Sequence, residues 1–143
     1  MAADIKSIAR RTYEELLPKA DLNGLAEVIH PDCISHETPP GTGSRPQGLE
    51  GTRQTALWLN RVFSDLRWDI HKLIAEGDTV AVFSTLTGRH TGELMGLTST
   101  NRPVAFRQMA FIRFQDGKGI EFWAVRDDLS LMRQLGALPQ PGQ

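Results

Sequence analysis

Of its 143 residues only one is a cysteine, Cys33. An intrachain disulfide is excluded, so the chain needs no oxidising compartment. No apolar run approaches the roughly 18–20 residues of a membrane-spanning helix. The opening stretch MAADIKSIARR lacks the apolar segment of a signal peptide. These absences predict a cytoplasmic protein with no membrane partner. An excess of one charge is missing too. Sixteen Lys and Arg against seventeen Asp and Glu give a net charge of -1, with no long basic run. Nucleic acid is therefore a poor partner. Internal repeats and a domain linker are absent, which predicts a single domain over residues 1–143 with a loose Pro/Gly-rich tail, ALPQPGQ, from about 137. Metal-ligand spacings such as HExxH, H-x-H or paired cysteines do not occur. A Gly-x-Ser-x-Gly elbow is also missing.

What is present is an ordinary globular composition, 40% hydrophobic and 23% charged, enough to fill a core. Residues 4–17 carry Ile5, Ile8, Tyr13 and Leu16 at helical spacing, and Pro18 is expected to end that helix. Asp21 is placed to cap a second short helix bearing Leu22, Leu25, Val28 and Ile29. His30-Pro31-Asp32 breaks it, and residues 33–37 read as a short strand in which His36 shares the parity of Ile34. Residues 38–48, TPPGTGSRPQG, contain Gly-x-Gly without the lysine of a phosphate-binding loop, so they read as a connection or lid. A third helix covers 49–63.

Strands follow. Leu66–Ala75 and Thr79–Thr91 flank the hairpin signal Glu76-Gly77-Asp78. Pro103–Phe114 comes next, and Asp116-Gly117 turns it into the last strand. A short helix over 129–136 stops at Gly136. Helices first and a meander of strands after them predict an α+β fold, with three N-terminal helices packed on one face of a curved, mostly antiparallel sheet that encloses a pocket. Strands 79–90 and 103–114 are apolar on both faces in places, as in Val80-Ala81-Val82-Phe83 and Met109-Ala110-Phe111-Ile112. The second apolar face needs a cover, so a homodimer through the outer sheet face is expected.

In the last strand Glu121, Trp123, Val125 and Asp127 share one parity. Taking that face as the cavity wall sets Asp127 beside apolar surface and leaves Asp128 to cap the following helix. Aromatic residues such as Trp58, Trp68, Phe106 and Trp123 are available to line a pocket for a hydrophobic small molecule.

Four segments together resemble the SnoaL-like polyketide cyclases, or ester cyclases, of the NTF2-like superfamily. They are the helix–helix–HPD–strand opening, FSDLRWDIHKLIAEGDTVAV, GRHTGELMGLTSTNRPVAF and FQDGKGIEFWAVRDDLSLMRQLG. The resemblance spans roughly residues 5–136 and implies the cone-shaped NTF2-like fold, often as a homodimer. It implies cofactor-free and metal-free ring closure by intramolecular aldol condensation, a lyase or isomerase type of reaction on an aromatic polyketide ester. The family's E-x-W-x-x-x-D pattern falls on Glu121, Trp123 and Asp127, which makes Asp127 the candidate acid/base. The H-T-G-E histidine is His90, a candidate donor to the enolate oxygen. The histidine ending the early strand matches His36, a candidate substrate contact together with Trp123, Gln108 and Arg107. The strand before the tryptophan strand departs from the pattern, because Ala110 stands where a polar group is expected.

Aldol closure needs a base at the carbon next to a carbonyl, a stabiliser for the enolate and an acid for the new alkoxide. One carboxylate in a dry pocket can be base and then acid. Two other readings compete. In one the cone only binds a small molecule or partner. In the other the family chemistry has drifted to hydroxylation or hydrolysis, although relatives of the hydroxylase kind tend to replace the aspartate matched by Asp127. A metal held by His36, Glu37, His90 and Asp127 is a further reading, with no ligand spacing behind it.

Overall fold

The computed structural model describes residues 4–37 and 46–139. Most of the 38–48 loop and the end of the expected tail lie outside the described residues. The chain is α+β, as its order of elements predicted. Helix α1 (Ile5–Arg11) starts under Asp4, whose side chain accepts from the Ser7 amide. It runs without a break into a π-helical turn, Thr12–Leu16, and then α2 (Leu17–Lys19). Pro18 does not end the helix as expected. It lies where the π-helical turn passes into α2, and Ala20 stops the helix instead in the left-handed conformation. Helix α3 (Leu22–Val28) is capped by Asp21, which accepts from Gly24 at 2.9 Å. Helix α4 (Gly48–Val62) is the longest, and α5 (Asp128–Gln134) the last.

Five strands form one sheet in the order β1-β5-β4-β3-β2. They are β1 (Ile29–Ser35), β2 (Phe63–Glu76), β3 (Thr79–His90), β4 (Pro103–Gln115) and β5 (Lys118–Arg126). The β2–β5 pairs are antiparallel, and β1 adds in parallel beside β5. Strand β1 begins at Ile29, so the short strand expected over 33–37 is longer and absorbs His30 and Pro31. As an edge strand it tolerates a proline that donates no ladder bond. Register breaks in β2, at Ser64/Arg67 and Ile70/Lys72, mark bulges. Such bulges bend and twist a strand.

Strand β4 alternates without exception along its middle. Val104, Phe106, Gln108, Ala110, Ile112 and Phe114 are buried, while Arg107, Met109 and Phe111 are exposed. The buried set packs against the helices, so the core lies between the sheet's inner face and the helical layer. The H-T-G-E segment is a corner in this scaffold. The Thr91 and Gly92 amides both donate to the Val62 carbonyl at 3.0 Å, docking the end of β3 onto the end of α4. A Cβ at Gly92 would fall 2.0 Å from the Arg61 carbonyl oxygen. Gly92→Ala is expected to destabilise the fold by about 1–3 kcal/mol, the usual range for overpacking against a rigid neighbour. Urea unfolding checks this, and an unmoved midpoint would contradict the close approach.

Candidate functional site

The π-helical turn, the inner sheet face and α4 surround a cavity of about 230 Å³. Its walls are mostly apolar, with Leu17, Trp58, Leu59, Phe63, Leu86 and Phe106 among them. Leu94 and Met95, on the β3–β4 connection, also line it. Into this surface project a few polar groups. Gln108 from β4 is buried, and its Oε1 accepts the Trp68 indole N–H at 3.1 Å. That bond fixes the amide, because an indole N–H can only donate. The Gln108 nitrogen is then a donor with no hydrogen-bond partner among the described residues. Tyr13 lines the cavity from the π-helical turn. Burial pushes its hydroxyl well above the ordinary value, against an opposing pull from the Arg126 charge. It therefore stays protonated and able to donate.

Strand β5 supplies the remaining groups, with its faces opposite to the expected ones. Gln108 pairs with Arg126, Ala110 with Ala124 and Ile112 with Phe122. Residues directly opposite in a ladder share a face, so Phe122, Ala124 and Arg126 point inward. Trp123 pairs with Phe111 and Val125 with Met109, on the exposed side. Asp127 is exposed and caps α5, accepting the Ser130 amide at 3.0 Å. Asp128, not Asp127, lines the cavity, where Glu37 is the other carboxylate. The two aspartates have thus exchanged the positions expected of them. Asp128 Oδ1 is screened from solvent, makes no hydrogen bond, and lies 3.5 Å from Arg126 Nε.

The other candidates scatter. Arg107 is exposed on the outer face beside Met109, and contributes its backbone carbonyl to the Asp127 amide at 3.0 Å. His36 stacks on Trp123 with ring centres 4.9 Å apart and planes 10° from parallel. Its Nε2 lies 2.7 Å from Glu121, whose other oxygen receives Arg113 through Nε and Nη2 at 3.0 Å each. This is an outer-face cluster, not part of the cavity wall. His90 is fully buried but does not line the cavity. The Thr100 amide donates to its Nδ1 at 3.2 Å, which leaves the ring hydrogen on Nε2. Its carbonyl accepts from the Asn101 amide and Ser99 hydroxyl, so His90 pins the β3–β4 connection. Of the predicted contacts only Gln108 faces the cavity. No group of three or more His, Cys, Asp or Glu side chains suited to a metal occurs among the described residues.

Tyr13 and Arg126 escaped the sequence reading. Tyr13 sits in the apolar stripe expected of a helix over 4–17 and reads as core. Arg126 has the parity opposite to the face taken as the cavity wall, and its pairing with Gln108 turns it inward. Ala110 and Ala124, opposite one another, leave the centre of the inner face without a polar group.

The fold and this cavity define a small α+β protein with helices closing a mostly apolar cavity against the inner face of one sheet. Comparison with known proteins is more specific. The SnoaL-like polyketide cyclase model matches residues 7–135, and the chain belongs to that family. It is 30% identical over 112 residues to nogalonic acid methyl ester cyclase of Streptomyces nogalater, covering 77% of this chain and 81% of the relative. Aklanonic acid methyl ester cyclase AcmA of Streptomyces galilaeus is 28% identical over 137 residues, 95% of this chain and 92% of that one. Among solved structures, wild-type IdmH from Streptomyces antibioticus superposes with a TM-score of 0.81 at 28% identity, covering 94% of this chain and 99% of that one.

The outer-face cluster makes one pH prediction. The hydrogen bond from His36, with Arg113 behind it, holds Glu121 below its ordinary carboxylate value of 4.5 despite some desolvation. A depressed folded-state value means that the contribution is present above the unfolded value and is lost as pH falls through the folded one. The stability gap between wild type and Glu121→Gln is therefore expected at neutral pH and should close in acid, below the ordinary carboxylate range. Urea melts of both proteins from neutral to strongly acid pH measure it, and a gap that stays constant would refute the coupling.

Proposed function

We propose that the chain closes a ring on an aromatic, polyketide-type carbonyl substrate by intramolecular aldol condensation, with Asp128 as its acid/base and no cofactor. The observation that carries this reading is the Asp128 carboxylate on the wall of an apolar cavity, with its Oδ1 screened from solvent and not hydrogen-bonded. In the proposed sequence the Asp128 carboxylate takes a proton from the carbon next to a carbonyl. The enolate oxygen receives hydrogen bonds from the Gln108 amide and the Tyr13 hydroxyl, donors already in place before charge develops. The enolate carbon then bonds to a second carbonyl carbon of the same molecule. The resulting alkoxide takes the proton back from Asp128, so no net proton is gained or lost. The apolar walls favour a flat, hydrophobic substrate.

Two further parts of the reading concern setting. We propose a cytoplasmic setting; no helix among the described residues is long and apolar enough to cross a membrane. The protein is proposed to act as a homodimer through the outer sheet face, where Met109, Phe111 and Val125 are each more than half exposed on neighbouring strands. A contiguous apolar patch of this kind favours burial against a second copy. Light scattering at micromolar concentration should give a dimer for wild type and a monomer for Phe111→Glu. A monomeric wild type would remove this part of the reading.

The catalytic assay compares adjacent aspartates. Asp128→Asn should lower turnover of a cyclisable polyketide ester by about 10²–10⁴-fold, the range for loss of a general acid/base. Asp127→Asn should leave turnover near wild type, and Asp127→Ala should cost roughly 0.5–2 kcal/mol of stability as a lost cap. Full activity in folded Asp128→Asn would favour a cavity that only binds its ligand.

A further inference from the structure

We infer that Trp68 is a positioning residue for the ring closure. Its indole N–H sets which way round the Gln108 amide sits, so that the cavity offers a donor and not a carbonyl to the developing enolate oxygen. The inference rests on the role given to Gln108 above. It begins from an ambiguity in the side chain itself. A glutamine amide carries an oxygen and a nitrogen of nearly equal size, and either can face a cavity. Turned one way the group stabilises an oxyanion, and turned the other way it repels one. The neighbour on β5 favours the wrong sense. Arg126 is directly opposite Gln108 in the ladder and lines the same cavity. Its positive charge attracts the amide oxygen, the end that must be kept from the enolate.

Trp68 opposes this from the other side. It stands on β2, two strands from Gln108, with β3 between them. Strands spaced by about 4.8 Å put β2 and β4 about 10 Å apart. Only a long side chain spans that distance, and only over a small residue. The β3 residue paired with Gln108 is Ser84, itself buried between Val82 and Leu86 on the inner face. The serine is the gap over which the indole reaches. The indole is held in turn, buried and packed on the Tyr13 ring with centres 5.8 Å apart and planes at 57°. Because an indole N–H can only donate, the amide oxygen is the end it takes, at 3.1 Å. The amide nitrogen is left for the cavity, with no other partner among the described residues. Trp68 thus braces both groups that donate to the enolate, Gln108 by a hydrogen bond and Tyr13 by ring packing.

The test is a double-mutant cycle on turnover of a cyclisable polyketide ester. Gln108→Leu should lower kcat by about 10²–10³-fold, the range for losing one oxyanion donor. Trp68→Phe keeps an aromatic ring beside Tyr13 but has no N–H. It should lower kcat by about 10-fold, the worth of one neutral hydrogen bond, with KM within a few-fold of wild type. In the Gln108→Leu background Trp68→Phe should cost nothing further, because no amide is left to orient. A purely structural role for the ring would lower kcat by the same factor in both backgrounds, and that result would overturn the inference. Full kcat in either folded single variant would overturn it as well. Thermal melts verify folding. If Trp68→Phe does not fold, benzothienylalanine at position 68, with sulfur in place of the N–H and the same ring outline, takes its place in the cycle. The cyclase reading is decided separately by Asp128→Asn, so it survives a result in which Trp68 and Gln108 act independently. Absence of turnover in wild type would overturn both.

Discussion

The register between β4 and β5 is the constraint on which the site depends. In an antiparallel pair, opposite residues share a face, and a slip of one residue turns every side chain of a strand over. With Gln108 opposite Arg126 and Phe111 opposite Trp123, one arginine enters an apolar cavity and one tryptophan is left outside. The same register carries the chain into α5 so that Asp127 reaches the first-turn amides and Asp128 reaches the cavity. Capping and cavity lining are separated by one residue of chain and by nothing else in their chemistry.

The cavity persists because its polar groups are braced. Trp68 holds Gln108, and Asp128 has Arg126 for a neighbour. Tyr13 is presented by a π-helical turn, in which the helix is wider than an ordinary turn and Thr12 and Tyr13 both reach the cavity lining. Single π-turns within α-helices are often found at functional positions. The outer face has a separate network in which His36 and Arg113 hold the Glu121 carboxylate while the His36 ring stacks on Trp123. The two systems lie on opposite faces of one strand, so a change on either side of β5 can be interpreted without disturbing the other.

The H-T-G-E segment shows how a family motif can be architectural. Its histidine holds the β3–β4 connection through side chain and backbone together. Its glycine lies against the end of α4 where no side chain fits. Leu94 and Met95 then line the cavity a few residues further on. The segment contributes to the site by placing that connection, while the titratable group it carries remains buried away from the ligand space.

By itself the sequence determined the elements and their order. Helical spacing in α1 and α4, the Asp21 cap and the Glu76-Gly77-Asp78 and Asp116-Gly117 turns are local signals, each set within a few residues. They were sufficient for the α+β class and, with the family segments, for the NTF2-like fold. Which face of β5 lies inside was not written locally, because Phe122 and Ala124 on one side and Trp123 and Val125 on the other are both apolar. Hydrophobic patterning orients a strand only when its two faces differ. The decision fell to hydrogen bonding with β4, whose Val104-to-Phe114 row is buried against the helices, and only the assembled sheet could make it. That pairing set Arg126 and Asp128 in the cavity and His36, Arg107, Trp123 and Asp127 away from it.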